Sequence, residues 1–392
     1  MTHLLRHLKG DRSIWLVVIL LSLISMVSVY SATSALAFRF QDGDTEYYLL
    51  RHAILLIVGL GIVYAVHRIN YRFVGRISKW LLIASGVLLV ITLLQGKEAA
   101  INETQRWITI FGQSFQPSDF AKFALMVYLA RVLAQKQEII KDFYRTFLPT
   151  LAPVFVICGL IAPFNLSTAV LIFFTSIVLM YVAGVKLRFL GGLMAIGLAG
   201  LMILFLTAER ASTWNSRWDD FRNRFTNEQY QANYQTVQAN IAIATGGLTG
   251  LGVGKSVQRN FLPHPYSDFV YAIIVEEYGL VGGLVVLLLY LWLLFRAVAI
   301  VTVSKTFGAL LAAALAFLLV SQAFINMMVT VGLLPVTGLP LPFVSMGGTS
   351  ILFTSVSLGL ILNVSRKINE DSALQNRRSV DPSNNPSNLA LG

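Results

Sequence analysis

The feature that most constrains this chain is a recurrence of long apolar runs, each near the ~20 residues a helix needs to cross a bilayer. Ten are read, at about 14–35, 47–66, 77–95, 118–135, 147–163, 167–184, 188–207, 269–296, 306–330 and 346–365. In hydrocarbon every backbone N–H and C=O must find a partner within the protein, and a helix achieves this in one segment. The expected fold class is all-α: a polytopic membrane protein of ten transmembrane helices, with a large outer loop between spans seven and eight. Composition agrees, since 56% of the 392 residues are hydrophobic and 12% charged, against roughly 25% charged in soluble domains. The first run is too long for a signal peptide and lacks a small-residue cleavage site, so it is expected to remain. The single Cys158 allows no internal disulfide. No internal repeat is evident.

The net charge of +11 is mostly topological. Lys and Arg gather in segments 1–13, 67–79, 131–145, 185–188, 296–305 and 366–392, which places both termini in the cytoplasm. That distribution argues against a nucleic-acid partner. The organisation expected is a cytoplasmic N-terminus (1–13), a membrane domain (14–368) with an extracytoplasmic loop at 208–268, and a polar, disordered cytoplasmic tail (369–392).

Three polar constellations interrupt this pattern, all on the outer side. The first is "TQRWITIFGQSFQPSDFAKFALMVYLA", 104–130. Pro117 suits a first helical turn, and Asp119 and Lys122 then share one face as i and i+3. Neither charge is tolerable alone in apolar surroundings, so they read as an ion pair, as a polar cavity wall, or as both.

The second is the long loop and the start of span eight. The loop carries Arg210, Arg217, Arg222, Arg224, Lys255 and Arg259, against the positive-inside bias. Its run "ATGGLTGLGVGKS", 244–256, is not a P-loop, because Thr249 stands where glycine is required and no strand precedes it. It is either a re-entrant turn or a backbone that approaches an anionic ligand. Asp268 follows at the outer mouth of span eight. Glu276 lies about 12 Å deeper and is rotated by roughly 80°, too far to act with Asp268 as a carboxylate pair on one group. Glu276 and Glu277 read as buried structural groups, pairing with basic residues or with the backbone of the 326–350 loop.

The third is "NMMVTVGLLPVTGLPLPFVSMGGTS", 326–350, uncharged and rich in proline and glycine, which suggests a re-entrant loop. Asn326, Thr337 and Ser345 could satisfy its backbone or meet a sugar.

In order and wording these constellations resemble the SEDS family of bacterial cell-wall polymerases, which includes the FtsW and RodA branches. The family's "RW…FQPSE…K" is matched by Arg106, Trp107, Phe115, Gln116, Pro117, Ser118 and Lys122. Its "YQ..Q…A…GG..G.G.G.S" is matched by Tyr234, Gln235, Gln238, Ala242, the glycines 246 to 254 and Ser256. Its "LPE.HTDF.FA…EE.G..G" is matched by Leu262, Pro263, Asp268, Phe269, Ala272, Glu276, Glu277, Gly279 and Gly282. Its "GLLP.TG.PLPF.S.GG.S" is matched between Gly332 and Ser350. The chain departs from the family at His264 and Tyr266, where glutamate and histidine are usual. It departs again at Asp119 for glutamate, Arg259 near a usual lysine, and Met346 for tyrosine.

The resemblance implies peptidoglycan glycosyltransfer: polymerisation of lipid II in the inner membrane, with undecaprenyl pyrophosphate as leaving group and inversion at the sugar. The wording leans to the division branch; a RodA-like elongation polymerase and a lipid II flippase are the alternatives. A pyrophosphate leaves without a proton, so one carboxylate and several cations suffice, unlike the two carboxylates of a glycosidase. Asp268 is the expected catalytic base. Arg106, Gln116, Asp119, Lys122, Gln235, Gln238, Lys255, Ser256, Arg259 and Ser345 are the expected substrate-binding residues, with Lys255, Arg259 and one or more of Arg217, Arg222 and Arg224 on the pyrophosphate. No His/Cys ligand cluster is read, and any divalent cation would be Mg²⁺ or Mn²⁺ on oxygens. The implied partners are a class B penicillin-binding protein and divisome membrane proteins. Spans eight and nine are the candidate contact, the latter through Ala312, Ala313 and Ala316.

Overall fold

The computed structural model describes residues 10–40, 45–95, 107–110, 113–207, 211–226, 233–303 and 306–380. A helix stands at every expected run: α1 Arg12–Phe40, α2 Thr45–Arg68, α3 Tyr71–Leu94, α4 Pro117–Gln135, α5 Leu148–Ile161, α6 Leu166–Ala183 and α7 Leu187–Thr207. Two more, α8 Ala211–Thr226 and α9 Tyr234–Gly246, lie in the long connection, followed by α10 Val270–Val303, α11 Phe307–Thr330 and α12 Gly348–Val380. Among the described residues, eight helices are long and apolar enough to cross a membrane, so the chain is a multi-pass membrane protein. α4 and α7 fall outside that set. α4 carries Asp119, Lys122 and Arg131, and α7 is apolar over Leu187–Ile203 as counted among the described residues.

Two local features depart from the all-α expectation and its bounds. Strands β1 (Ile108–Ile110) and β2 (Gln113–Phe115) pair antiparallel just before α4, with Ile108 opposite Phe115; the β-branched "ITI" suits this. α12 also continues to Val380, through the first part of the segment whose composition suggested disorder. Glu370 sits 2.9 Å from Lys367 and 3.7 Å from Arg366, as i,i+3 and i,i+4 partners that support continued helix. The rest of that segment, 381–392, lies outside the described residues.

Polar side chains at the helix ends satisfy exposed backbone groups. Asn70 accepts from Arg72 N at the start of α3, and Asn165 from Thr168 N at the start of α6. α6 ends at Gly184, whose φ of 100° is left-handed. At the end of α2 the amide of Asn363 donates to the carbonyls of Val66, His67 and Ile69.

α11 is the hub. It packs against α10, α4, α6 and α12, and its run "LLAAALAFLLV" is buried almost throughout, with Ala312, Ala313 and Ala316 at 0% exposure. Small side chains let these neighbours approach closely. This corrects the expectation that span nine offers a partner surface, because those alanines serve the inside of the bundle. α10 does present an open apolar face, with Leu280, Leu284, Leu288, Trp292 and Phe295 exposed.

α10 is also broken. Gly279 adopts φ 69°, ψ −170° within the helix, leaving the carbonyls before it and the amides after it without helical partners. The glycine-rich run supplies them. Leu251 N and Gly252 N donate to Glu276 O and Glu277 O at 3.0 and 2.9 Å, while Leu280 N and Val281 N donate to Gly247 O and Leu248 O at 2.9 and 3.3 Å. Gly250, at φ 82°, faces Gly279 across this contact, and a Cβ on either would collide with the opposite backbone carbonyl. Irregular backbone inside a membrane bundle is tolerated only when satisfied in this way.

Candidate functional site

The re-entrant segment 335–347 organises the site, and its backbone accounts for its position. Asn326 and Gln322 lie one turn apart on α11. Asn326 donates to Leu339 O and Gln322 to Pro340 O, both at 2.8 Å. Leu341 O accepts from Val344 N and Ser345 N, Pro342 O from the hydroxyl of Tyr290 on α10, and Val344 O from Ser25 on α1 at 2.8 Å. Between the last two, Phe343 is held at φ 66°, a left-handed conformation uncommon for a bulky residue and costly unless its surroundings enforce it.

This segment in turn grips the residues before α10. Met346 N donates to Tyr266 O at 2.9 Å, Ser345 Oγ to Ser267 O at 2.6 Å, and Asn326 Nδ2 to Asp268 O at 2.8 Å. Three successive carbonyls are thus fixed, and the half-buried Asp268 carboxylate is presented from a rigid base. Its Oδ1 accepts from Ser267 Oγ at 3.0 Å. Beside it, Tyr266 has its pKa raised, first by burial and then by Tyr48 and the Asp268 carboxylate, while Arg51 opposes the shift. Tyr266 OH also meets His264 Nδ1 at 3.3 Å, so the two departures from the family pattern contact each other. Tyr48 and Arg51, on the first turns of α2, belong to this neighbourhood.

Asp119 and Lys122 form a buried ion pair at 2.8 Å. Lys122 Nζ also donates to Gln322 Oε1 at 2.7 Å, and Thr349, at the start of α12, donates to Asp119 Oδ2 at 3.2 Å. Through Gln322 and Asn326 the pair and Asp268 are tied to adjacent turns of α11, about 6 Å apart along its axis. Gln116 is half-buried and precedes α4 without a side-chain cap. Arg106 lies outside the described residues.

The residues of the long loop divide. Glu276 (0% exposed) accepts from Ser256 Oγ at 2.5 Å, Val257 N at 3.0 Å and Gln258 N at 3.2 Å, at the N-terminus of a short 3₁₀ turn. Glu277 accepts from Ser256 N at 3.2 Å and from Ser31 on α1. Glu276 therefore holds the 256–258 turn, and Glu277 holds that turn and α1, where the sequence suggested basic residues or the backbone of the 326–350 loop. Ser256 is buried with its hydroxyl committed to Glu276. Arg259 donates to Ser31 Oγ at 3.1 Å, while Lys255 is exposed. The glycine-rich N–H groups of residues 251 and 252 are occupied by the α10 break, which favours the re-entrant reading of that run over anion binding. Arg217 donates to Val336 O at 3.2 Å, Arg224 stacks on Phe221 beside Gly332, and Arg222 is exposed. The expected cationic cluster is thus anchored at two places, the α10 break and the 332–336 turn. Gln235 and Gln238 are half-buried as i and i+3 on α9, and Thr337 is half-buried in the re-entrant segment.

Sequence reasoning missed Ser25, Ser31, His52, Tyr290, Gln322 and Thr349. One signal was present: Ser25, Ser28 and Ser31 recur every three residues in the first apolar run, marking a polar stripe on a helix otherwise made for lipid.

Comparison with known proteins follows the same outline. The family model described as "Cell cycle protein", for FtsW, RodA and SpoVE, matches residues 11–370. A probable peptidoglycan glycosyltransferase FtsW of Geobacter sulfurreducens is 33% identical over 368 residues, covering 92% of this chain and 96% of that protein. Stage V sporulation protein E of Bacillus subtilis is 33% identical over 365 residues, covering 91% and 97%. Among solved structures, a peptidoglycan synthase complex that coordinates polymerization and crosslinking superposes with TM-score 0.70 at 25% identity, covering 91% of this chain and 98% of that one. The rod shape determining protein RodA of Thermus thermophilus gives 0.65 at 25% identity, covering 92% and 98%.

Proposed function

The chain belongs to the FtsW/RodA/SpoVE family, the SEDS peptidoglycan glycosyltransferases, and on that premise we propose that it polymerises lipid II with Asp268 as general base. The 4-hydroxyl of the acceptor's terminal GlcNAc attacks C1 of the donor MurNAc. Asp268 takes the hydroxyl proton as the C–O bond to C1 forms, and the bond from C1 to the pyrophosphate oxygen breaks with its electron pair. Undecaprenyl pyrophosphate leaves, and the α-linked donor becomes a β-linked product. The observation that carries this reading is the mounting of Asp268: a half-buried carboxylate whose own and two preceding carbonyls are each fixed by a hydrogen bond.

Exposed Lys255 and neighbouring Arg259 are the cations proposed for the pyrophosphate, and charge-assisted bonds to phosphate are the strong kind. The buried Lys122–Asp119 pair, Gln116, Gln235 and Gln238 shape the wall against which the sugars lie, while Ser345, expected there, is buried with its hydroxyl committed to Ser267 O and Leu341 N. Among the described residues no three His, Cys, Asp or Glu side chains gather as a metal cage. Any divalent cation that takes part would be Mg²⁺ or Mn²⁺ on oxygen ligands.

We place the protein in the bacterial inner membrane with ten spans, both termini cytoplasmic and the site on the outer face. The several FtsW relatives at 30–33% identity support a septal role. The proposed partner is a single-span class B penicillin-binding protein, seated on the exposed face of α10 among other divisome membrane proteins.

The test is polymerisation of lipid II by purified protein with such a partner. Asp268→Asn should stay folded and lose about 10²–10⁴-fold in rate, the usual contribution of a general base. Near-normal polymerisation by the folded variant would remove Asp268 from the mechanism. Filamentous growth on depletion would support division; rounding would support elongation.

A further inference from the structure

His52 is the side chain whose presence the reaction, as described, does not explain. It is wholly buried on α2, at 0% exposure. Its Nε2 lies 2.8 Å from Ser25 Oγ, and Ser25 Oγ lies 2.8 Å from Val344 O. A serine hydroxyl has one proton to give. Val344 O can only accept, so Ser25 donates there and accepts from His52 Nε2–H. This fixes the direction of the chain as His52 to Ser25 to Val344 O. The other ring nitrogen, Nδ1, has no hydrogen-bond partner among the described residues. A buried imidazole that makes one hydrogen bond is placed for that bond, since leaving a polar atom unpaired has a cost.

What the bond secures is the strained turn. Phe343, at φ 66°, is bracketed by two carbonyls held from outside the segment: Pro342 O by Tyr290, and Val344 O by Ser25. The next two residues, Ser345 and Met346, carry the bonds to Ser267 O and Tyr266 O that mount Asp268. If Val344 O is released, Phe343 can relax to an ordinary conformation and the donors at 345 and 346 move with it.

We propose that His52 and Ser25 are positioning residues for the glycosyl transfer. They hold the 343–346 turn in the strained form that sets the depth and aim of the Asp268 carboxylate. Tyr290 is its counterpart on the opposite flank. Neither His52 nor Ser25 is asked to touch substrate or to move a proton. This inference rests on the reading of Asp268 as the base.

The experiment compares His52→Ala, His52→Gln, Ser25→Ala and the His52→Ala/Ser25→Ala double variant, with Ser22→Ala as control because Ser22 Oγ, among the described residues, bonds to Val18 O of its own helix. Each full-length protein, with its transpeptidase partner, is assayed for kcat and KM on lipid II and for amide hydrogen exchange across 339–347. The expected result is a fall in kcat of about tenfold to 10²-fold for both alanine variants, the scale of an ångström-level misplacement. KM should be little changed, the double variant should be no worse than the worse single one, and exchange at 343–346 should be faster. His52→Gln, whose amide can still donate to Ser25, should recover most of the rate. Unchanged kcat and unchanged exchange in His52→Ala would overturn the proposal. So would a loss that Gln fails to recover while exchange in the turn stays wild-type. Asp268→Asn in the same assay separates the two claims: if it remains active the base assignment falls, whereas inert His52 and Ser25 substitutions beside a dead Asp268→Asn would defeat only the positioning role.

Discussion

Removing Lys122 alone should harm the protein more than removing its charge together with that of Asp119. The two side chains are only 8% and 5% exposed and sit 2.8 Å apart. Lys122→Met leaves the Asp119 carboxylate with Thr349 as its side-chain partner among the described residues, and takes the donor from Gln322 Oε1. Asp119→Leu leaves an ammonium with one neutral acceptor. Deleting one partner of a buried pair costs ~3–5 kcal/mol, most of it from the uncompensated charge left behind. The double variant Asp119→Leu/Lys122→Met leaves no charge, only Gln322 and Thr349 each short of one bond at about 1–3 kcal/mol apiece. It should therefore be more stable than either single variant, and the coupling should fall at or above the upper end of the ~0.5–3 kcal/mol seen for residues in contact. The measurement is a double-mutant cycle on unfolding in detergent, with polymerisation followed in parallel. Additivity of the two single effects within ~0.5 kcal/mol would refute the reasoning, and Lys122 would then be read as a group facing substrate.

Three further outcomes are expected. Gly250→Ala and Gly279→Ala should each destabilise the protein severely, because each adds a Cβ against the opposite carbonyl at positive φ, whereas Gly254→Ala, at φ 73° with open space around it, should cost only the ~1–2 kcal/mol of a left-handed alanine; thermal midpoints decide, and equal shifts at all three would contradict the backbone stitching of α10. Lys255→Ala should weaken binding of lipid II more than binding of an uncharged analogue, and equal weakening would remove Lys255 from the pyrophosphate. Bulky polar replacements at Leu284 and Leu288 should reduce co-purification of the transpeptidase without changing the melting temperature; undiminished recovery of the complex would exclude that face of α10.

The bundle was legible because apolar run length reports directly on spans, and a helix stands at each run. Asp119 and Lys122 were legible for a local reason, their i,i+3 spacing in a segment that tolerates neither charge alone. The partners of Glu276 and Glu277 were not. They come from α1 and from a loop about twenty residues upstream, and no spacing rule connects those positions. The break at Gly279 was hidden for a similar reason: one glycine in an apolar helix is unremarkable until the backbone that repairs it is seen. The mounting of Asp268 was legible only in part: Asn326 and Ser345 were read as able to satisfy the backbone of 326–350, but that they and Met346 N reach the carbonyls of 266–268 was not, since main-chain carbonyls carry no residue-type signal.

The central place of α11 has a consequence for synthesis of the chain. Its neighbours α4 and α6 emerge from the ribosome well before it, and α12, which also lines it, comes last. Until residue 330 has been made, the helix pairs already in the bilayer enclose a vacant axis, with Lys122 lacking Gln322 and the Asp268 carbonyl lacking Asn326. Domains tend to close from the N-terminus as they are made; this one closes around a late arrival. A message cut short between α4 and α11 therefore yields a product with its ion pair facing lipid or a void, and the cell's membrane proteases, rather than loss of catalysis, should determine what becomes of it.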